Sequence, residues 1–264
     1  MFGLFFVGIS PKTSFLLPAG SHIMVNASQF WHKGKQVWIR HGRTRRGGLV
    51  FLDSGGYIFF NRQDDYPFSP GQYMNLVSYL RPDFFASMDY PCEPSITERL
   101  PDLPIAERIQ VTVSNAVTLA AMEEMTPGSR LVPVIQGWTL DDYKYCLNLY
   151  ADNDCLRPFM AVGSMCVRQN DAGILDLIRG IYEHATTLGV ERLHYFGLKL
   201  TPRLSQVQDL IYSRDSAAVY FSPNRAIKKK WGGRRFASTT PQKREAIQYF
   251  LSKVERYGLT WRTI

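Results

Sequence analysis

The chain predicts a (β/α)8 barrel, a TIM barrel, on three observations. Short apolar runs alternate with segments of helical periodicity, polar motifs follow those runs at four places or more, and 264 residues match the roughly 250 of a single-domain barrel. An open doubly wound sheet gathers its ligand at one switch point, so polar groups at the ends of several strands favour a closed sheet. A hydrophobic content of 45% is enough for one large core.

Residues 2–8 form the first apolar run and read as a buried strand. The run is too short for the roughly 20 residues of a bilayer span and has no basic leader. Runs at 49–52, 84–88, 131–135, 159–162, 193–196 and 217–221 read as further buried parallel strands. Residues 57–71, with Asn61, Arg62, Gln63, Asp64, Asp65 and two prolines, read as a long loop above the barrel mouth. Segment 104–125, rich in Ala, Glu and Met and closed by Thr126-Pro127-Gly128, predicts a helix. So do 140–150, with Tyr143, Leu147 and Tyr150 on one face, and 174–188, with Ile174, Leu177, Ile178, Ile181 and Tyr182. Residues 241–257 predict a last helix, with Ile247, Phe250, Leu251 and Val254 inward and Lys243, Arg244, Lys253 and Arg256 toward solvent. The expected division is a barrel over 1–222 and a basic C-terminal segment over 223–264 whose helix packs on the barrel.

The net charge of +8 is unevenly placed. Residues 225–264 hold 11 Lys and Arg against Glu245 and Glu255, a net of +9, whereas residues 1–224 hold 20 against 21, a net of −1. Arg225, Lys228, Lys229, Lys230, Arg234 and Arg235 surround Trp231, a pattern that suits a polyanion, because each cation set on a phosphate releases condensed counterions. Trp231 could stack on a base or pack the tail onto the barrel. A solvated tail that aids solubility is the plainer alternative. Cys92, Cys146, Cys155 and Cys166 show no CxxC and no histidine pair at a zinc spacing, and read as reduced thiols of a cytoplasmic protein with no metal.

Four segments end apolar runs with a carboxylate or an amide: Asp53-Ser54-Gly55-Gly56-Tyr57, Met88-Asp89-Tyr90-Pro91, Ile135-Gln136-Gly137-Trp138 and Arg214-Asp215-Ser216-Ala217-Ala218. Three carboxylates and a glutamine from separate strands suit chemistry at a glycosidic bond. One carboxylate stabilises the oxocarbenium-like carbon as nucleophile, and a second protonates the leaving group and then deprotonates its replacement. The glycines after Asp53 allow close backbone approach to a flat ligand, and Tyr57 could stack on it.

In this order the segments resemble the tRNA-guanine transglycosylase superfamily, which exchanges guanine for a 7-deazaguanine. The resemblance implies that Asp215, in Asp-Ser followed by small and aromatic residues, is the nucleophile. Asp53, in a match to Asp-Ser-Gly-Gly-Phe, is implied to be the general acid/base. Asp89 aligns with the aspartate that reads the purine N1–H and exocyclic amine, and Gln136 and Gly137 with the pair at the O6 edge. Ala161-Val162-Gly163-Ser164-Met165 resembles Ala-Val-Gly-Gly-Leu, whose amides meet the base, which implicates Gly163 and Ser164. His194-Tyr195-Phe196-Gly197 resembles His-Tyr-Leu-Met-Gly, one residue shorter, which implies Phe196 as an apolar lid and Gly197 among the groups that meet the base; His194 itself reads as a structural histidine.

The tRNA enzymes carry closely spaced cysteines and a histidine near the C terminus as a zinc site. Here no cysteine or histidine follows Asp215, so the expectation is a barrel with a basic C-terminal extension and no zinc subdomain. That pattern resembles the DNA-directed, DpdA-type branch found in phages and bacterial modification clusters. It implies DNA as partner, a 7-deazaguanine such as preQ0 as incoming base, no cofactor, no membrane, and protection of DNA from restriction. The tail would hold phosphates while guanosine is extruded from the duplex. Barrels of this superfamily often dimerise, which leaves a homodimer open. The alternatives are a tRNA enzyme with an altered C terminus and a non-catalytic nucleic-acid-binding subunit.

Overall fold

The computed structural model describes residues 3–39, 47–168, 172–198, 200–216 and 239–263. The strands are β1 (Leu4–Gly8), β2 (Ile23–Asn26), a small antiparallel hairpin of β3 (Trp31–His32) and β4 (Val37–Trp38), β5 (Val50–Asp53), β6 (Phe84–Ala86), β7 (Arg130–Val132), β8 (Val134–Ile135), β9 (Phe159–Val162), β10 (Arg192–Tyr195) and β11 (Ser213–Ser216). The helices are α1 (Gly56–Gln63), α2 (Pro70–Leu80), α3 (Pro94–Thr97), α4 (Ile105–Ala121), α5 (Leu140–Asp152), α6 (Ile174–Thr187) and α7 (Thr240–Arg256).

Nine strands hydrogen-bond in the order β7-β6-β5-β2-β1-β11-β10-β9-β8, every neighbouring pair parallel. The two ends of that order, β7 and β8, are consecutive in the chain and separated only by Pro133. Proline has no N–H to give to a ladder, so it splits one strand into two. Its carbonyl still accepts from Ala161 N–H at 2.9 Å. The sheet therefore closes on itself as an α/β barrel of eight strand positions.

Alternation along each strand divides the apolar residues between inside and outside. Phe6, Met24, Phe51, Ala86, Val132, Val134 and Ala161 fill the interior. Outside, Phe5, Val7, Val25 and Leu52 pack with α2 and α7 on one half of the barrel. On the other half, Ile135, Met160, Val162 and Leu193 pack with α4, α5 and α6. Helix α7 buries Ala246, Ile247, Phe250, Leu251 and Val254, with the Phe250 ring 5.6 Å from that of Phe5. Beyond it, Phe5 N–H donates to the Thr260 carbonyl at 2.7 Å.

Three expectations need correction or addition. Residues 57–71 are not a long loop: they hold α1 and the start of α2. The polar density of Asn61 to Asp65 suggested irregular structure, yet Phe59 and Phe60 are buried beneath it. Pro70 occupies the first turn of α2, where its missing N–H costs nothing, behind a Ser69/Gln72 capping box. Strand β2 was not among the expected runs. Asp215 lies within β11, not ahead of a strand. The run expected at 217–221 is outside the described residues, as are Arg225, Lys228, Lys229, Lys230, Trp231, Arg234 and Arg235. Among the described residues no helix is long and apolar enough to cross a membrane.

Candidate active site

Asp53 is the last residue of β5, and Asn26 is the last of the neighbouring β2, directly opposite it in register. The Asn26 amide Nδ2 donates to Asp53 Oδ2, while its Oδ1 accepts from Ser28 N–H at 2.9 Å and caps the following turn. Gly55 N–H donates to Asp53 Oδ1 at 3.1 Å. Burial, then the charge of Asp89, with that of Asp215 adding, pushes the Asp53 carboxyl up to about 7, against the pull of these two donors. A carboxyl in that range can both give and take a proton near neutral pH.

Asp89 follows β6 and is almost fully buried. Ser54 Oγ donates to its Oδ1 at 2.8 Å, and Gln136 Nε2 donates to its Oδ2 at 2.5 Å. The Asp89 backbone N–H donates to Tyr66 Oη at 3.1 Å. Burial raises the Asp89 carboxyl, and the donors restrain it. Gln136 follows β8 and is held from both ends. Its Oε1 accepts from Ser164 Oγ at 2.7 Å, and the turn after it is tied down by Asp142 Oδ2, which accepts from Trp138 and Thr139 N–H at 3.0 and 2.7 Å. Gly163 lies so close under Gln136 that a Cβ there would stand 2.2 Å from Nε2. Gly137 begins the turn into α5.

Asp215 faces the barrel mouth from β11. Its Oδ1 accepts from Gly197 N–H at 2.7 Å and contacts His194 Nε2 at 3.3 Å. His194 is fully buried, with Nδ1 2.9 Å from Ser213 Oγ. A carboxylate only accepts, so Nε2 carries the proton toward Asp215 and Nδ1 accepts from Ser213. His194 thus has a definite task beside Asp215. Gly197, expected among the groups that meet the base, gives its N–H to Asp215. Phe196 lies over the barrel interior, its ring 4.7 Å from His194 and 5.8 Å from Phe51. Tyr57 is exposed on the first turn of α1.

Asp53, Asp89, Gln136, Ser164, Gly197 and Asp215 therefore come from β5, β6, β8, β9, β10 and β11, all at the C-terminal end of the barrel. Asn26, Ser54, Tyr66 and Ser213 were missed as supports. Asn26 had a visible signal, since Ile23-Met24-Val25 is one more apolar run ending in an amide. Tyr66 was hidden in the segment read as a loop. Cys92, Cys146 and Cys155 are buried, and among the described residues no group of His, Cys, Asp and Glu could hold a metal ion.

The arrangement supplies a carboxylate steadied by two donors, a second carboxyl poised near neutrality, and a buried carboxylate–amide pair able to read hydrogen bonds. The charges of Asp89 and Asp215 both push the Asp53 carboxyl up, which marks Asp53 as the group that carries a proton. No curated protein matches the chain. The family DpdA, described as DeoxyPurine in DNA protein A, matches residues 12–239, a stretch that spans β2 to β11 and every residue of the site. The chain belongs to the DpdA family, the DpdA-type branch of the transglycosylases.

Proposed function

We propose that this protein exchanges guanine in DNA for a 7-deazaguanine base of the preQ0 type by double displacement. Asp215 attacks C1′ as the bond to guanine N9 breaks, forming a covalent ester to deoxyribose, and Asp53 gives its proton to the departing guanine. The incoming base then loses a proton to Asp53 and displaces Asp215, which restores both groups. Among the described residues both hydrogen bonds to Asp215 fall on Oδ1, so Oδ2 is the oxygen offered to the sugar. Asp89 and Gln136 read the base edge. A buried site of this kind rejects a wrong base strongly, because a mismatch leaves its polar groups unpaired.

The observation that carries this reading is the convergence of Asp53, Asp89 and Asp215 at one barrel mouth in a chain of the DpdA family. The basic segment after residue 224 serves as the phosphate clamp, and the modified base shields DNA from restriction. The test is incubation with labelled preQ0 and, in parallel, duplex DNA, single-stranded DNA and tRNA, followed by nucleoside mass spectrometry. Label in DNA is expected, together with a covalent protein–DNA adduct that Asp215→Ala abolishes. Label in tRNA alone, or an adduct that survives the substitution, would overturn the reading.

A further inference from the structure

We propose that a hollow between the β3–β4 hairpin and helix α1 seats a backbone phosphate of the DNA strand close to the target guanosine, a second phosphate site separate from the C-terminal tail. The inference rests on the DNA reading above and adds a contact to it. Residues 1–52 hold seven Lys and Arg and no Asp or Glu, so the near-neutral balance up to residue 224 conceals a strongly basic first stretch. Two of those cations, Lys33 and Lys35, stand in the exposed turn of the hairpin. The hairpin is fixed in place. The Trp31 and Trp38 rings lie 4.8 Å apart and 5.2 and 4.6 Å from Phe68, and Trp38 Nε1 donates to the Gln72 carbonyl at 2.7 Å. Charges on an element already ordered cost less to bring onto a strand than charges on a free tail.

Lys33 and Arg62 line a hollow of about 130 Å³ together with Ser28, Gln63 and the buried residues Trp31 and Phe59. Pockets for drug-sized molecules run to ~300–1,000 Å³, so this one suits a compact group. Among the described residues the side chains of Ser28, Lys33, Arg62 and Gln63 make no hydrogen bond or ion pair with one another or with any neighbour. Two cations, a hydroxyl and an amide therefore share one small space with every donor unspent, and these are the residue types that hold phosphate oxygens. The carboxylates at the end of α1 are engaged elsewhere. Asp64 pairs with Arg99, and Asp65 accepts from Tyr90 Oη at 2.8 Å and from Tyr66 N–H at 2.6 Å. The last carbonyls of α1 are the remaining local negative charge, and Arg99 donates to that of Phe60.

Ser28 ties the hollow to the chemistry. Its N–H donates to Asn26 Oδ1 while Asn26 Nδ2 donates to Asp53, which sets the hollow about 10 Å from the proton-carrying carboxyl. From the other side, α1 starts three residues after Asp53 and rises ~1.5 Å per residue, which carries Arg62 about 9 Å along its axis. Phosphates recur every ~3.4 Å along one strand of a duplex, so the group seated here belongs to a nucleotide within about three of the target.

Single-stranded oligonucleotides with one guanine test this by fluorescence anisotropy, in a set where each phosphate near the guanine is replaced in turn by an uncharged methylphosphonate. In the wild type one position within about three nucleotides of the guanine should weaken binding by about fivefold or more, and the same replacement should cost the double variant K33A/R62A nothing. In parallel the variant should lower the slope of log K against log salt by about 1.4, at ~0.7 per cation on a single strand. Both side chains are exposed, so their truncation leaves the core untouched. An unchanged slope, or a methylphosphonate penalty equal in the two proteins, would overturn the seat. Failure of the exchange reading looks different: a wild type that shows the coupling on DNA yet exchanges no guanine loses its proposed function and keeps the seat. Coupling on the matching RNA strands alone would overturn the seat as a DNA site.

Discussion

Replacing Asn26 tests whether Asp53 is the acid of the exchange. The Asn26 amide is one of two donors that favour the ionised form of Asp53, whose carboxyl already sits at about 7. A hydrogen bond to a charged group contributes ~1.5–3 kcal/mol. At about 1.4 kcal/mol per pKa unit, its loss in Asn26→Ala should raise the Asp53 pKa by about 1–2 units. The acid must be protonated to release guanine, so the rate of the first half-reaction is full below the pKa and falls above it. The alkaline limb of kcat/KM for DNA should therefore move from about 7 in the wild type to about 8 or 9 in the variant. The assay is release of labelled guanine from DNA as a function of pH, in the E93Q background so that the buried Glu93 carboxyl, also pushed up to about 7, does not titrate in the same window. A limb that stays in place, or moves down, would refute the assignment of Asp53 as proton donor.

Three further outcomes follow from the same geometry. Gly163→Ala places a Cβ 2.2 Å from Gln136 Nε2, and should drive the amide off Asp89, raising the KM for the base about tenfold or more with circular dichroism unchanged. Glu93 should weaken the fold as pH rises. Its carboxyl goes from 4.5 to about 7 on folding, so the folded state binds the proton more tightly. The wild type then loses stability relative to E93Q between those two values, by about 3 kcal/mol once above the upper one. Melting curves of both proteins at either end of the window check this, and a constant difference in Tm would contradict it. Replacing Lys228, Lys229 and Lys230 together with alanine should reduce the slope of log K against log salt for DNA by up to about 3, and an unaltered slope would mean the tail does not touch phosphates.

The part of the fold that could be read in the sequence was the part written in local apolar runs. Strands such as Phe159–Val162 and helices such as Ile174–Thr187 bury one face or both, and their periodicity shows it. Closure of the barrel was not local. It depends on Pro133 dividing one strand so that its two halves pair with β6 and β9 on opposite sides. Strand β11, with the sequence Ser-Arg-Asp-Ser, looks nothing like a buried strand, yet all four residues are buried. Its ladder partner β1 comes from the other end of the sequence and β10 from the strand just before it, and Ser213, Asp215 and Arg214 bond to His194, Gly197 and Gln208.

By itself the sequence determined the alternation of strands and helices, the carboxylates and amide at the strand ends, and the concentration of positive charge after residue 224, because each is a property of neighbouring residues. Tertiary structure alone decided that Asn26 faces Asp53, that His194 and Gly197 hold Asp215, and that Asp89 is joined through Gln136 to Ser164. Those pairings join residues far apart in sequence. Their strength comes from being removed from water together, and no stretch of sequence records which groups will be buried side by side.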